Sequence, residues 1–229
     1  MAAKRLLVFA SGGKEPDVGG SGLLTLAERI KTGELHAQIV GVVSNYPCGG
    51  AHKKATDAGL RFIHFPAPWD EAGYQRIVAE FKPDLVFLSG WLKKVVGLPT
   101  EMVLNIHPGP LPEYGGKGMH GHHVHEAVLR DVKAGKRTCS EVSMHFTTAE
   151  FDKGPICFCI QVPASSLDTA ETLGKRVNEA EHLWQWWVTD MVLGGVVRCI
   201  NTNKGYKIQA PTWYLRSFVP TEWWYVATA

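Results

Sequence analysis

Five short apolar runs limit what this chain can fold into. Residues 5–10 (RLLVFA), Ala37–Ser44 (AQIVGVVS), 62–65, 85–89 (LVFLS) and Val103–His107 have the length of strands, and most are too evenly apolar for a strand wet on one face. Stretches of helical period lie between them at 23–30 and Glu71–Phe81, the latter lining up Tyr74, Ile77, Val78 and Phe81 on one side. Strand alternating with helix implies right-handed βαβ units. The expected class is therefore α/β, with an open, mainly parallel, twisted sheet and helices on both faces. The pattern changes after residue 121. Residues 122–132 read as a helix. Residues 141–146 and 156–162 read as strands able to pair as an antiparallel hairpin around a turn-rich loop. Residues 167–191 read as a long helix, with Asp168 as N-cap and Glu171 three positions on.

Length and composition narrow the organisation. A chain of 229 residues, 45% hydrophobic and 20% charged, suits one larger α/β domain. We expect a single domain over 1–208 and an aromatic tail over 209–229. That tail carries Trp213, Trp223 and Trp224, as a packed appendage or a contact surface, and its last three residues are expected to fray. The tail reads as short and irregular after Gly194 and Gly195. Trp184, Trp186 and Trp187 on the long helix read as core, and the chain is expected to be a monomer or a homodimer. A net charge of +2 with scattered Lys and Arg argues against a nucleic-acid partner. No run approaches the roughly 20 apolar residues that span a bilayer, so no membrane association is expected. The first residues lack a signal-peptide pattern, and the five cysteines form no disulfide framework. A cytoplasmic protein with inert thiols is the expectation.

In an open parallel sheet, ligands bind beyond the carboxyl ends of the strands. Four segments fall there: 11–22, 90–95, 105–112 and the loop ending at 151–155. Asn105 and His107 are two apart in an extended run, so both face one point. An amide donor beside a titratable imidazole suits an acyl-transfer transition state, because one steadies an oxyanion and the other moves a proton near neutral pH. The same two residues can equally cap a turn. Asp152 is the natural third member; placed beside His107 it would raise the pKa of the imidazole. A turn aspartate bonding its own backbone is the plainer alternative. Gly20, Ser21 and Gly22 open a helix and can cradle an anion, although neither a Walker pattern nor a dinucleotide fingerprint is present. His120, His122, His123 and His125 lack metal-ligand spacing, so no metal site is expected.

The order NIHPGPLPEYGGKGMHGHHVHEAV, then MHFTTAEFDKGPI, then RVNEAEH resembles the phosphoribosylglycinamide formyltransferases, a family of folate-dependent formyltransferases. The likeness runs from about residue 4 to about residue 208. It implies a Rossmann-like formyltransferase fold and transfer of a formyl group from 10-formyltetrahydrofolate, as co-substrate, to the amine of 5-phosphoribosylglycinamide, without a metal. It implies Asn105, His107 and Asp152 as catalytic residues. It assigns folate contacts to Leu92, Lys93, Lys94, Val95, Asn105, Thr148, Ala149, Glu150, Phe151 and Asp152. It assigns the substrate phosphate end to Gly20, Ser21, Gly22, Asn178 and Glu181. The chain departs from the family in an insertion at 14–18, in Gly22 where Asn is usual, in Lys94 where an apolar residue is usual, and in acidic Asp70 and Glu71 where a basic residue is common. A formyltransferase acting on another amine, such as an amino sugar nucleotide, and a formyltetrahydrofolate hydrolase are the alternatives. A tRNA formyltransferase would need a further barrel domain and a basic surface.

Overall fold

The computed structural model describes residues 3–15 and 18–225. In chain order the strands of the sheet are β1 (Lys4–Phe9), β2 (Ala37–Ser44), β3 (Phe62–His64), β4 (Leu85–Leu88), β5 (Val103–His107), β6 (Cys139–Phe146) and β7 (Ile156–Pro163). Across the sheet they follow the order β3-β2-β1-β4-β5-β6-β7, with parallel pairing from β3 through β5 and antiparallel pairing of β6 with β7. The chain divides into two compact units, 1–105 with 185–195, and 106–184 with 196–229.

The first unit contains β1 (Lys4–Phe9), α1 (Ser21–Lys31), β2 (Ala37–Ser44), α2 (Gly50–Asp57), β3 (Phe62–His64), α3 (Glu71–Phe81), β4 (Leu85–Leu88) and most of β5 (Val103–His107). From Leu6 to Phe9, every side chain of β1 is fully buried. This explains the unbroken apolar run: a central parallel strand is covered on both faces. Phe9, Tyr74, Phe81, Val86 and Trp91 pack as one core cluster. The Trp91 Nε1–H donates to the Tyr74 hydroxyl at 3.0 Å, so the two large rings bury without stranding a polar atom. Each such side chain contributes about 1.5–3 kcal/mol by leaving water. Helix α3 starts where the Asp70 carboxylate accepts the Gly73 N–H at 2.9 Å. At its other end the Arg5 guanidinium donates to the carbonyls of Phe81 and Lys82, groups the helix itself cannot satisfy. Helix α2 has no counterpart in the sequence reading. Its buried side is only Gly50, Ala51 and Ala55, too small to show as an apolar period.

The second unit contains α4 (His122–Lys133), β6 (Cys139–Phe146), β7 (Ile156–Pro163) and most of α5 (Ala170–Leu193). β6 and β7 form the expected hairpin, and its register shifts between Met144 and His145. The cap of α5 differs from expectation. Thr169 Oγ1 accepts the Thr172 N–H at 3.1 Å while Thr172 Oγ1 accepts the Thr169 N–H at 3.0 Å, so these two residues form the reciprocal box. Asp168 is spent elsewhere: its two oxygens take the Arg176 guanidinium at 2.9 and 3.0 Å. That pairing holds its carboxyl well below the usual range.

The tail is more ordered than expected. Strands β8 (Arg198–Thr202) and β9 (Gly205–Gln209) pair antiparallel, and α6 (Thr212–Phe218) follows. Phe218 stacks on Phe158 at 5.0 Å and lies 5.3 Å from Tyr214, so the tail is a packed appendage. Trp213 remains 53% exposed. The expected fraying of 227–229 lies outside the described residues, as do positions 16 and 17 of the 14–18 insertion. Burial pushes the Cys157 thiol up, which suits an inert core residue.

Candidate active site

The chemistry-bearing cluster is built on the end of β5 and the loop joining β6 to β7. His107 is 3% exposed. Its Nε2 lies 2.8 Å from the main-chain carbonyl of Tyr114. A carbonyl only accepts, so Nε2 carries a hydrogen and Nδ1 is the nitrogen that gains and loses a proton. Nδ1 faces Oδ2 of Asp152 at 3.8 Å, longer than a direct hydrogen bond.

Asp152 is held from several sides. It adopts a left-handed φ of 55°, a conformation Asp tolerates better than most residues. Its Oδ2 accepts the Gly116 N–H at 2.9 Å, and its Oδ1 lies 3.4 Å from His145 Nε2. His145 is 1% exposed, and its Nδ1 lies 3.2 Å from the Phe146 carbonyl. Gly154 lets the loop return to the strand, since a Cβ there would sit 1.7 Å from the Phe146 oxygen. Gly115 is equally constrained, because a Cβ would come within 2.8 Å of Asp152 Cβ. Ser143 Oγ donates to the Gly109 carbonyl at 2.9 Å and ties β6 to the loop leaving β5.

Burial, more than any neighbouring charge, sets the direction for His107. Burial lowers the pKa of His107; Asp152 pulls it up, His145 pushes it down, and the net direction is down. A carboxylate beside an imidazole does raise its pKa, but desolvation of the ring is the larger effect here. For Asp152 the balance goes the other way. Burial alone would raise its carboxyl, and His145, His107 and the Gly116 N–H together outweigh that and hold it low. The resting site therefore pairs a neutral imidazole with an ionised carboxylate.

The other expected residues are placed as follows. Asn105 ends the β5 stretch of the first unit, two positions before His107. In that unit Gly20 is the left-handed N-cap of α1, at φ 76°, and Ser21 and Gly22 form the first turn. A Cβ on Gly22 would lie 2.5 Å from Ser89 Oγ and 3.0 Å from the Gln185 carboxamide, so a larger residue here requires the Ser89 side chain to shift. Leu92 is 45% exposed and its N–H donates to Ser11 Oγ at 3.0 Å. The Lys93 ammonium sits 4.4 Å above the Trp69 ring, Lys94 is exposed, and Val95 packs against the core cluster. In the second unit Thr148, Ala149, Glu150 and Phe151 lead into Asp152, with Phe151 37% exposed. Asn178 Nδ2 donates to Glu181 Oε2 at 3.1 Å, and burial pushes the Glu181 carboxyl up to about 7. His145 was assigned no role from sequence. It occupies a polar position of the alternating run EVSMHF, seven positions before Asp152, and only its burial sets it apart. Among the described residues, no group of three or more His, Cys, Asp or Glu is arranged to hold a metal ion. No described helix is long and apolar enough to cross a membrane.

Comparison with known proteins adds the family. The formyl transferase family model matches residues 4–189. A chloroplastic phosphoribosylglycinamide formyltransferase of Vigna unguiculata is 36% identical over 193 residues, covering 78% of this chain and 57% of the relative. That of Arabidopsis thaliana is 36% identical over 194 residues, covering 78% and 62%. The chain thus spans about three fifths of the length of these curated relatives. A solved phosphoribosylglycinamide formyltransferase from Coxiella burnetii superposes with a TM-score of 0.74 at 25% identity, over 91% of this chain and 94% of that one.

Proposed function

This chain belongs to the formyl transferase family, and we propose that it moves a formyl group from 10-formyltetrahydrofolate to the amine of 5-phosphoribosylglycinamide, a step of purine synthesis. The observation that carries the reading is His107: a buried imidazole with Nε2 locked as a donor and Nδ1 facing an ionised carboxylate. The names of the relatives support the choice of amine.

The amine nitrogen attacks the formyl carbon, negative charge builds on the formyl oxygen, and the amine must lose a proton. The Asn105 amide donates to the oxygen. Nδ1 of His107 takes the amine proton and returns it to N10 of the folate as the carbon–N10 bond breaks and the carbonyl reforms. Burial disfavours an imidazolium in the resting site. The growing oxyanion, together with Asp152, supplies the negative charge that makes the protonated ring favourable during transfer. We assign folate contacts to Leu92, Lys93, Lys94, Val95 and Asn105 and to Thr148, Ala149, Glu150, Phe151 and Asp152. We assign the phosphoribosyl end to Gly20, Ser21 and Gly22, with Asn178 and Glu181. This chemistry needs no metal. Partners on this reading are small molecules, with the protein a cytoplasmic monomer or homodimer.

The test is release of tetrahydrofolate from 10-formyltetrahydrofolate. Release that requires phosphoribosylglycinamide supports the reading. Release without any amine identifies a hydrolase, and release only with an amino sugar nucleotide identifies a different acceptor.

A further inference from the structure

The segment 114–116 touches both partners of the proton-transfer pair. The Tyr114 carbonyl accepts from His107 Nε2 at 2.8 Å, and two residues later the Gly116 N–H donates to Asp152 Oδ2 at 2.9 Å. The position of this short bracket therefore sets the spacing between the imidazole and the carboxylate. Its glycines supply no side-chain anchor, so the anchoring falls to Tyr114.

The Tyr114 side chain is held at every edge. Its hydroxyl donates to Asp131 Oδ2 at 2.6 Å, in the last turns of α4. The Arg137 guanidinium lies 4.9 Å over the ring and is itself fixed by donating to the Cys139 carbonyl at 2.8 Å. Asp131 also takes the Lys136 ammonium at 2.9 Å on its other oxygen. The Tyr114 N–H donates to the Pro110 carbonyl at 3.0 Å, which closes the turn from the backbone side. The residue is only 8% exposed. A phenol donating to a carboxylate in such surroundings makes a strong bond with one geometry.

We propose that Tyr114 is a positioning residue: clamped by Asp131 and Arg137, it holds the 114–116 bracket so that His107 stays in its Nε2–H tautomer with Nδ1 turned to Asp152. The proposal deepens the transfer reaction proposed above and rests on it. The groups facing His107 are the Asp152 carboxylate and His145 from the β6–β7 side, His125 from α4 and the Tyr114 carbonyl.

The test is Tyr114→Phe, which keeps the ring and removes the hydroxyl, paired with Asp131→Asn, which keeps a weaker acceptor. Nitrogen chemical shifts of 15N-histidine-labelled full-length protein report the tautomer without reference to activity. Steady-state kinetics across pH report the consequence. The wild type is expected to show His107 as the Nε2–H form alone. Tyr114→Phe is expected to show exchange between tautomers, a shifted pH–rate profile and a kcat lower by on the order of tenfold, with KM for both substrates within about twofold. Asp131→Asn should fall between. Wild-type tautomer and pH–rate profile in a folded Tyr114→Phe protein would overturn the proposal, even if its melting temperature dropped. Tautomer exchange in a protein that transfers no formyl group would instead sink the reaction assignment and leave the positioning role standing.

Discussion

His145 points Nε2 at Oδ1 of Asp152 across 3.4 Å, on the opposite side of the carboxylate from the oxygen that faces His107. One carboxylate thus stands between two buried imidazoles. His145 helps keep Asp152 ionised, and its own field lowers the pKa of His107. Replacing it with Gln removes the ring while retaining hydrogen-bonding capacity. His145→Gln should lower kcat by about tenfold, and the acid limb of the kcat profile should move to higher pH as the depressing field on His107 is lost. A pH–rate profile superimposable on that of the wild type would remove His145 from the site's electrostatics.

Asp152→Asn isolates the charge. Asn also tolerates a left-handed φ, and its carboxamide oxygen still accepts the Gly116 N–H, so the loop should keep its shape. The negative field that favours a protonated His107 disappears. Transfer should fall by on the order of a hundredfold or more, with an unchanged far-ultraviolet dichroism spectrum and melting temperature. Near-wild-type turnover would mean that the imidazole works without its carboxylate.

Parts of this arrangement were legible in the chain and parts were not, for identifiable reasons. β1 and α3 stood out because buried parallel strands are apolar throughout and a helix against a core shows Tyr74, Ile77 and Phe81 at regular spacing. Helix α2 did not, because two alanines do its packing. The β8–β9 pair hid behind alternation of moderate polarity, although Asn203, Lys204 and Gly205 carry a turn signal. Asn105 and His107 could be grouped because period two is a local property of a strand. Asp152 meets His107 only because the β6–β7 loop folds back, and spacing along the chain says nothing of that. The net pKa direction of His107 was not legible for a related reason: the effect of a neighbouring charge can be read from sequence, whereas burial of the ring to 3% exposure depends on everything packed around it.

The space around Gly22 is filled by neighbouring side chains. The Gly22 carbonyl accepts from Gln185 Nε2 at 3.2 Å, and Ser89 fills the direction a side chain would take. Adding a side chain there alone should therefore harm the fold. Gly22→Asn is expected to cost about 1–3 kcal/mol in urea unfolding through overpacking. Trimming Ser89 to Gly in the same chain should recover part of it. Equal midpoints for wild type and Gly22→Asn would show that the loop relaxes freely.

His125 offers a stability test separate from catalysis. The ring is 7% exposed, and a Cβ on Gly174 of α5 would come within 2.9 Å of it. Burial lowers its pKa to about 4, with His122 and His107 adding to the effect. The unfolded chain takes up a proton near pH 6.5, and the folded chain resists until about pH 4. Between those values the unfolded state binds more protons, so stability rises with pH and is lost on acidification through that window. Glu181 works in the opposite sense, since a carboxyl raised to about 7 is protonated in the folded state before it would be in the unfolded one. The total pH dependence therefore mixes the two, and a difference between proteins is needed to separate them. Going from pH 7 to pH 5, the wild type should lose about 2 kcal/mol more than His125→Gln, measured by urea unfolding of both proteins at both pH values. Identical losses in the two proteins would mean that His125 titrates in the folded state as it does in the unfolded chain.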